Sequence, residues 1–232
     1  KNFSHFIWYL HHMVNKMLGK YPDTGTDKEP TFEQTRDMFE TFRSRCLTEE
    51  EIKWADDFII KEKIDQSKRL IIIHPTTNNS YTDWGIDRFI LLANQLIHEK
   101  GHQVLACFPE KEKEISELLV EKLKGVFIHV GSLRKNMALI SKADLMIDNC
   151  SAPSHISSAL KIKTLVLMGA DYKNIYRNEE IYKKNSFLFY KNVHCRDSFW
   201  SRCLPPDPCK NKVCLDHSIE DVLKKSLELL YK

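Results

Sequence analysis

The feature that most constrains the fold of this chain is a regular alternation of apolar strands and amphipathic helices between residues 69 and 168. Short runs rich in Ile, Leu and Val are separated by longer segments whose apolar residues recur every three or four positions. This alternation predicts an α/β fold, a parallel sheet with helices on both faces. The predicted strands are 70–74, 103–108, 126–130, 145–147 and 164–168, the last completing the set. The predicted helices are 87–100, stopped by Gly101, 110–122, 133–142, and one starting around residues 151–154.

Segments without strand patterning flank this alternating region. Residues 3–18 and 31–45 have apolar residues at helical spacing, and Thr48 with Glu51 is a capping-box pattern that opens a further helix. We expect that helix to turn Ile52, Ala55, Phe58 and Ile59 inward. A last helix is predicted at 218–231. The predicted division is a helical segment, 1–67, and a main domain, 68–232, with a cysteine-rich loop at 191–217.

Composition excludes several function classes. The chain has 232 residues, of which 42% are hydrophobic and 29% charged, as in soluble globular proteins. A net charge of +3 without blocks of like charge does not favour nucleic acid as a partner. The longest aliphatic run, residues 70–73, is too short to span a membrane. We predict a cytoplasmic protein, whose aromatic-rich first helix could contact a membrane surface peripherally or simply pack.

One candidate ligand site is the stretch Asp148-Asn-Cys-Ser-Ala-Pro-Ser-His155. Ligands of parallel sheets bind at the carboxyl ends of the strands, and this stretch joins such an end to a helix start. Ser151 suits the N-cap and Pro153 the first helical turn. Unpaired N–H groups at a helix start favour an anion such as a pyrophosphate. The alternative is an ordinary turn, with His155 packed inside the protein.

Two neighbouring loops offer further polar groups. Thr76 and Thr77 follow the first strand and could donate hydrogen bonds to phosphate oxygens, or could belong to a plain polar turn. Glu112 follows the second strand and could hold a ribose diol, or could simply suit the helix dipole. The first loop lacks the glycine-rich Walker pattern, which disfavours ATP hydrolysis of that type.

Four cysteines lie close together near the C-terminus. They are Cys195, Cys203, Cys209 and Cys214, with His194 and His217 beside them. Four soft ligands could bind zinc, but their spacing does not match a C-x2-C knuckle, so disulfides and free thiols remain alternatives. The odd total of seven cysteines favours a reducing compartment.

The order of these motifs resembles a bacterial enzyme family. HPTT at 74–77, the loop Trp84, Glu112, GSL at 131–133 and DNCSAPSH at 148–155 resemble the ADP-heptose:lipopolysaccharide heptosyltransferases, glycosyltransferase family 9. That family has two facing Rossmann-like domains, the glycosyltransferase B arrangement. The resemblance covers residues 68 to 231 and implies the C-terminal, donor-binding domain, with 1–67 as an inter-domain segment. It implies that the N-terminal acceptor domain, and the catalytic base, lie outside this chain.

The resemblance also implies roles for individual residues. Thr76 and Thr77 match the hydroxyls that contact the donor phosphates, Glu112 the acid that holds the adenosine ribose, and Gly131 the position against which adenine packs. The family turn Asn-Asp-Ser/Thr-Gly-Pro-x-His aligns with residues 149–155. The pyrophosphate would face the helix start formed by Ser151, Ala152 and Pro153, with His155 just below. The implied reaction moves heptose from ADP-heptose to a lipopolysaccharide core or related glycan, with inversion and without a metal or other cofactor.

Two departures from the family pattern fall in one corner of the implied site. Thr82 stands where the family has lysine, and Cys150 stands where it has aspartate. The donor sugar could therefore differ, a charge could come from elsewhere, or the chain could bind nucleotide or a partner without transferring sugar. Lys135 and Arg134, expected in a neighbouring loop, are candidates for the missing cation. Cys150 could instead act as a thiolate, although the resemblance gives it no such role.

Overall fold

The computed structural model describes residues 47–78, 80–169, 185–193 and 211–231. The described strands are β1 (Leu70–His74), β2 (Gln103–Pro109), β3 (Phe127–Gly131), β4 (Leu145–Asn149), β5 (Thr164–Leu167) and β6 (Ser186–Phe189). The described α-helices are α1 (Glu49–Lys61), α2 (Ile86–Asn94), α3 (Lys113–Lys122), α4 (Leu133–Ile140), α5 (Ala152–Ala159) and α6 (Ile219–Leu230). Short helical turns lie at Ser80–Thr82, Glu110–Glu112 and Val213–Leu215, and a π-helical turn, Gln95–Glu99, extends α2.

The strands form one six-stranded sheet in the order β3-β2-β1-β4-β5-β6. Every neighbouring pair is parallel. The chain moves outward from β1 through β2 to β3, then returns to place β4 on the other side of β1. In open parallel sheets, the crevice at such a reversal is where ligands bind. The predicted fold class is confirmed, and the topology directs attention to the ends of β1 and β4.

Side-chain alternation along the strands divides the core into two layers. In β1, Ile71 and Ile73 face α2, α3 and α6, whereas Leu70 and Ile72 face α1, α4 and α5. Successive side chains of a strand point to opposite faces, so continuously apolar strands require helices on both sides of the sheet. The uninterrupted apolar run in β1 is therefore explained by burial on both faces.

Helix α1 begins with the predicted capping box. The Thr48 hydroxyl accepts a bond from the Glu51 N–H, and the Glu51 carboxylate accepts one from the Thr48 N–H. Ala55 and Ile59 are buried against the sheet, and Phe58 packs at the edge of that cluster. The expectation for Ile52 is wrong, because it is 39% exposed. At 3.6 residues per turn, Ile52 lies roughly a quarter of a turn from the middle of the packed face.

Several predicted boundaries require correction. The strand predicted at 164–168 does not complete the set, because β6 adds an edge strand from the aromatic run at 186–189. Asp148 and Asn149 were expected in a turn, but both belong to β4 and are fully buried. Polar residues between a strand and a helix usually indicate a turn. Here the polar side chains of Asp148 and Asn149 form hydrogen bonds while they lie inside the sheet. Gly101 ends the second helical segment as predicted, with a φ of 71° that favours glycine.

Some predictions fall outside the described residues. These are the helices expected at 3–18 and 31–45, and most of the cysteine-rich loop. Within the described part of the chain, no helix is both long and apolar enough to cross a membrane.

Candidate functional site

The ends of β1 and β4 carry a buried polar pair. His74 and Asp148 are register partners, and the His74 Nδ1 lies 3.2 Å from the Asp148 Oδ1. The Asp148 side chain is 0% exposed, and it accepts bonds from the Ser151 hydroxyl (2.8 Å to Oδ2) and from the Ser154 N–H (2.8 Å). Burial raises the pKa of the Asp148 carboxyl, against the opposing effect of His74, Ser151 and Ser154. The carboxylate thus joins both central strands to the start of α5.

This arrangement changes the interpretation of the predicted anion site. Ser151 occupies the N-cap position of α5, but its hydroxyl donates to Asp148 and makes no side-chain cap bond to the helix. The Ser154 N–H, one of those expected to face a pyrophosphate, donates to Asp148 instead. The chain therefore places its own carboxylate against part of the helix start. Pro153 lies in the first turn, as predicted.

Asn149 fixes the loop that follows β1. Its Oδ1 accepts from the Trp84 N–H at 3.0 Å, and its Nδ2 donates to the Pro75 carbonyl at 3.0 Å.

The same loop also contacts later parts of the chain. The Trp84 indole N–H donates to the His217 carbonyl at 3.1 Å, which attaches the segment before α6 to the loop. At Gly169, a Cβ would lie 2.3 Å from the Tyr81 carbonyl oxygen, so the loop also presses against the end of β5. We call His74, Asp148, Asn149 and Trp84 the inner part of the site.

The polar groups nearer solvent pair with one another. The Thr76 hydroxyl donates a short hydrogen bond to Glu112, whose side chain is 13% exposed. The Lys111 Nζ donates to the Asn78 Oδ1 at 2.9 Å. These two contacts connect the loop after β1 to the turn after β2. We call Thr76, Asn78, Lys111 and Glu112 the outer part of the site.

Thr77 and Thr82 bond each other within the first loop, with 2.9 Å between their hydroxyl oxygens. Thr82 is 1% exposed, so the position that carries lysine in the family pattern lies under the loop. Thr76, Thr77 and Glu112 therefore come together at one edge of the sheet, as their places at strand ends predicted. Their roles toward a ligand stay predictions.

Gly131 ends β3 and is buried, but a neighbouring side chain of the protein explains its small size. A Cβ at Gly131 would lie 2.6 Å from the His129 Nε2. The His129 ring packs against Trp54 and Phe58, with 5.2 Å between ring centres in both pairs. Burial, with Lys135 nearby, lowers the pKa of His129 to about 4, so this imidazole is neutral at physiological pH. Asn136 links the ends of β2 and β3 by donating to the Phe108 carbonyl at 3.0 Å.

The two cations expected to replace the missing lysine are engaged on the α1 side. Arg134 and Lys135 lie in the first turn of α4 and not in a loop, which corrects the prediction. Arg134 forms a two-pronged ion pair with Glu51, at 2.6 and 2.5 Å. Burial raises the pKa of Glu51, but Arg134 and the Thr48 bonds outweigh it and hold that pKa below its usual value. The Lys135 Nζ lies over the Trp54 ring, 5.0 Å from its centre.

The remaining predicted residues surround the start of α5. Cys150 is buried, Ala152 is exposed, and Pro153 and His155 are partly buried. Burial lowers the pKa of His155 to about 4, which favours the neutral ring. This agrees with a packing role for His155 and does not test a role toward a ligand.

Three of the four clustered cysteines that were weak candidates for a zinc site, Cys195, Cys203 and Cys209, lie outside the described residues. Cys214 is buried in the turn before α6. The His217 Nε2 lies 3.1 Å from the Met168 carbonyl oxygen, and its ring packs on Phe189. Across the residues that are described, no group of His, Cys, Asp and Glu forms a metal site.

Sequence reasoning missed the structural importance of four residues, namely His74, Asp148, Asn149 and Lys111. For the first three, the signal was polar residues at the ends of two strands that become neighbours at the reversal of strand order. For Lys111, no signal was present, since its contact with Asn78 depends on how two loops meet.

Comparison with known proteins identifies the family. A model of glycosyltransferase family 9 (heptosyltransferase) matches residues 29–203. The lipopolysaccharide core heptosyltransferase OpsX of Haemophilus influenzae is 25% identical over 155 residues, which cover 61% of this chain and 42% of that protein. A family 9 glycosyl transferase from Veillonella parvula and the ADP-heptose LPS heptosyltransferase II of E. coli have similar structures, with TM-scores of 0.66 and 0.60. Both are 18% identical, and both alignments cover 80% of this chain and 52% of the other.

The chain spans about half the length of these relatives. The structural likeness shows a shared fold over that half. With the family model matching most of its length, the chain belongs to glycosyltransferase family 9, the heptosyltransferase family.

Proposed function

We propose that this chain is the nucleotide-sugar-binding half of a heptosyltransferase that acts on a lipopolysaccharide core or related glycan. The observation that carries the proposal is the contact between Thr76 and Glu112 at the carboxyl edge of the sheet, beside the reversal between β1 and β4. Hydroxyls and a carboxylate at this edge suit the phosphates and the ribose of one nucleotide. The name of the E. coli relative, which includes ADP-heptose, supports ADP-heptose as the donor.

In this proposal, the outer part exchanges partners when the donor binds. Glu112 leaves Thr76 and accepts hydrogen bonds from the ribose hydroxyls, and the hydroxyls of Thr76 and Thr77 then donate to phosphate oxygens. Cys150, Ser151, Ala152 and Pro153 form the wall beside the diphosphate, and His155 supports that wall from below. The adenine would pack at the end of β3 beside Gly131, next to the His129 ring that fills the space over this glycine. These assignments rest on family membership and on the positions of the loops.

The proposed reaction is an inverting transfer without a bound metal. An acceptor hydroxyl oxygen attacks the anomeric carbon while the bond from that carbon to the diphosphate oxygen breaks. The nucleoside diphosphate leaves with the electron pair, and the hydroxyl proton passes to a base that we expect in the acceptor-binding domain. Polar groups at the diphosphate stabilise the charge that develops there. Residues 1–67 would connect this domain to the acceptor-binding domain.

Calorimetric titration with ADP, ADP-heptose, a UDP-sugar and a GDP-sugar tests the proposal. We expect ADP and ADP-heptose to bind, and the other nucleotides to bind at least tenfold more weakly, roughly the discrimination that one unmatched polar contact gives. A titration with chelator present and a second with Mg²⁺ test the metal independence. Failure of every nucleotide to bind would exclude the donor-binding role.

A second candidate is a relative that binds nucleotide without transferring sugar. It is favoured by the buried, uncharged side chains at Thr82 and Cys150, where the family pattern carries a lysine and an aspartate. The distinguishing result is tight ADP-heptose binding by the full-length protein with no heptose transferred to a lipopolysaccharide core acceptor.

A further inference from the structure

We propose that Lys111 supplies the cation that binds the donor diphosphate. The inference rests on the proposed function. It assigns to Lys111 the positive charge that the family pattern places at the loop position occupied here by Thr82. A diphosphate brings two to three negative charges to an edge that already holds the acidic side chains of Glu112 and Asp148. Part of the positive end of α5 is taken up by Asp148. A cation at this edge would therefore have a large effect on nucleotide affinity.

Among the residues that the structure describes, three other basic side chains of this domain have partners away from the loop after β1. Arg134 is paired with Glu51, and Lys135 lies over Trp54. Arg88 donates to the Leu215 carbonyl at 2.8 Å. Recruiting any of these would break a contact that holds a helix or the C-terminal segment to the domain.

Lys111 is differently placed. It belongs to the Glu110–Glu112 turn directly after β2, and its side chain is 61% exposed. Its Nζ reaches across to Asn78, the residue after Thr77, so the ammonium already lies at the loop expected to hold phosphate. Asn78 offers a neutral amide oxygen, and hydrogen bonds between charged partners are roughly twice as strong as neutral ones. Exchange of Asn78 for a phosphate oxygen would therefore be favourable.

The position also explains how one turn could recognise two parts of a nucleotide. Glu112 faces Thr76 within the site, whereas Lys111, its neighbour in sequence, faces Asn78 near the rim. A ribose held by Glu112 would place its attached phosphates within the range of a flexible lysine side chain. The Lys111 Nζ lies 3.9 Å from the Glu112 Oε1, so the lysine also offsets that carboxylate as the phosphates approach.

The test compares ADP with adenosine, which lacks the phosphates. We expect Lys111→Met to weaken ADP binding about tenfold, since a charge-assisted bond at an exposed site lies at the low end of its usual range. Adenosine affinity should change by less than about twofold, and Lys111→Arg should retain ADP affinity within about threefold because the charge remains. Added salt should weaken ADP binding to the wild type more than to Lys111→Met. Lys113→Met is the matched control, because Lys113 is exposed two residues away and pairs with Glu117.

Unchanged ADP affinity in Lys111→Met would overturn the inference. So would equal losses for ADP and adenosine, because that result would mean that Lys111 only orders the loop through Asn78. Absence of ADP binding by the wild type would contradict the proposed function itself, so the two failures are distinguishable.

Discussion

The inner and outer parts of the site contain similar polar side chains, but these differ in burial and in the partners that they bond. In the inner part, Asp148 and Asn149 are fully buried and are bonded to backbone groups, and Asp148 is also bonded to the partly buried side chains of His74 and Ser151. In the outer part, Glu112 and Lys111 bond other side chains across a gap between two loops. Buried bonds to backbone are costly to break, whereas side-chain pairs near solvent exchange partners easily.

This difference in burial predicts that the inner part stabilises the fold and that the outer part binds the ligand. We expect changes in the inner part to appear as lost stability, and changes in the outer part to appear as lost ligand affinity with the fold intact. Each of the following variants tests that separation.

The largest expected effect is from Asn149→Ala. This change leaves the Trp84 N–H and the Pro75 carbonyl buried without their partner, so the free energy of unfolding should fall by roughly 2–4 kcal/mol. Urea denaturation followed by tryptophan fluorescence measures it. Asn94→Ala, the same change on the exposed surface of α2, is the control and should stay within about 0.5 kcal/mol. Equal effects of the two variants would contradict the division.

A pH effect on stability should follow from His155. Its pKa is lowered from 6.5 to about 4 by burial, so the unfolded chain takes up a proton before the folded protein does. The stability contributed by the neutral ring is complete above pH 6.5 and is lost as pH falls toward 4. Between pH 7 and pH 5, the wild type should lose roughly 1–2 kcal/mol more than His155→Gln. The exposed His98→Gln variant is the control, and parallel curves for wild type and His155→Gln would refute the prediction.

The smallest effect on stability, with a clear effect on affinity, is expected from Glu112→Gln. The unfolding free energy should change by less than about 0.5 kcal/mol, because Glu112 bonds one hydroxyl and no backbone group that we describe. ADP and adenosine should both bind about tenfold more weakly, since both carry the ribose. Calorimetry with the two ligands measures this, and a loss confined to ADP would assign Glu112 to the phosphates instead.

The sequence predicted most of this frame because its signals are local. Apolar runs and helical periodicity located five of the six strands to within one or two residues. The end of β4 was misjudged because the Asn149 side chain bonds Pro75 and Trp84, more than sixty residues away, and Asp148 adds the distant His74 to its local partners Ser151 and Ser154. The strand β6 was missed because it is short and only partly buried at the sheet edge.

In the candidate site, too, local signals predicted the positions of residues but not their distant contacts. Placing Thr76, Thr77 and Glu112 at one edge needed only the parallel topology. The partners of Arg134 and Lys111 depend on how helices and loops pack across the fold, 83 residues away in one case and 33 in the other. No local pattern carries that information, and the contacts favour Lys111 over Arg134 as the cation of the site.

The bond from Trp84 to the His217 carbonyl has a consequence for how the protein is made. It joins residues 133 positions apart, so the loop after β1 gains this support only after residue 217 has left the ribosome. The early strands can pair before that point, but the loop at the candidate site gains this bond only afterwards. A chain released before residue 217 would hold a nearly complete sheet but would leave the Trp84 indole N–H without this partner, and we expect it to be cleaved more readily by proteases.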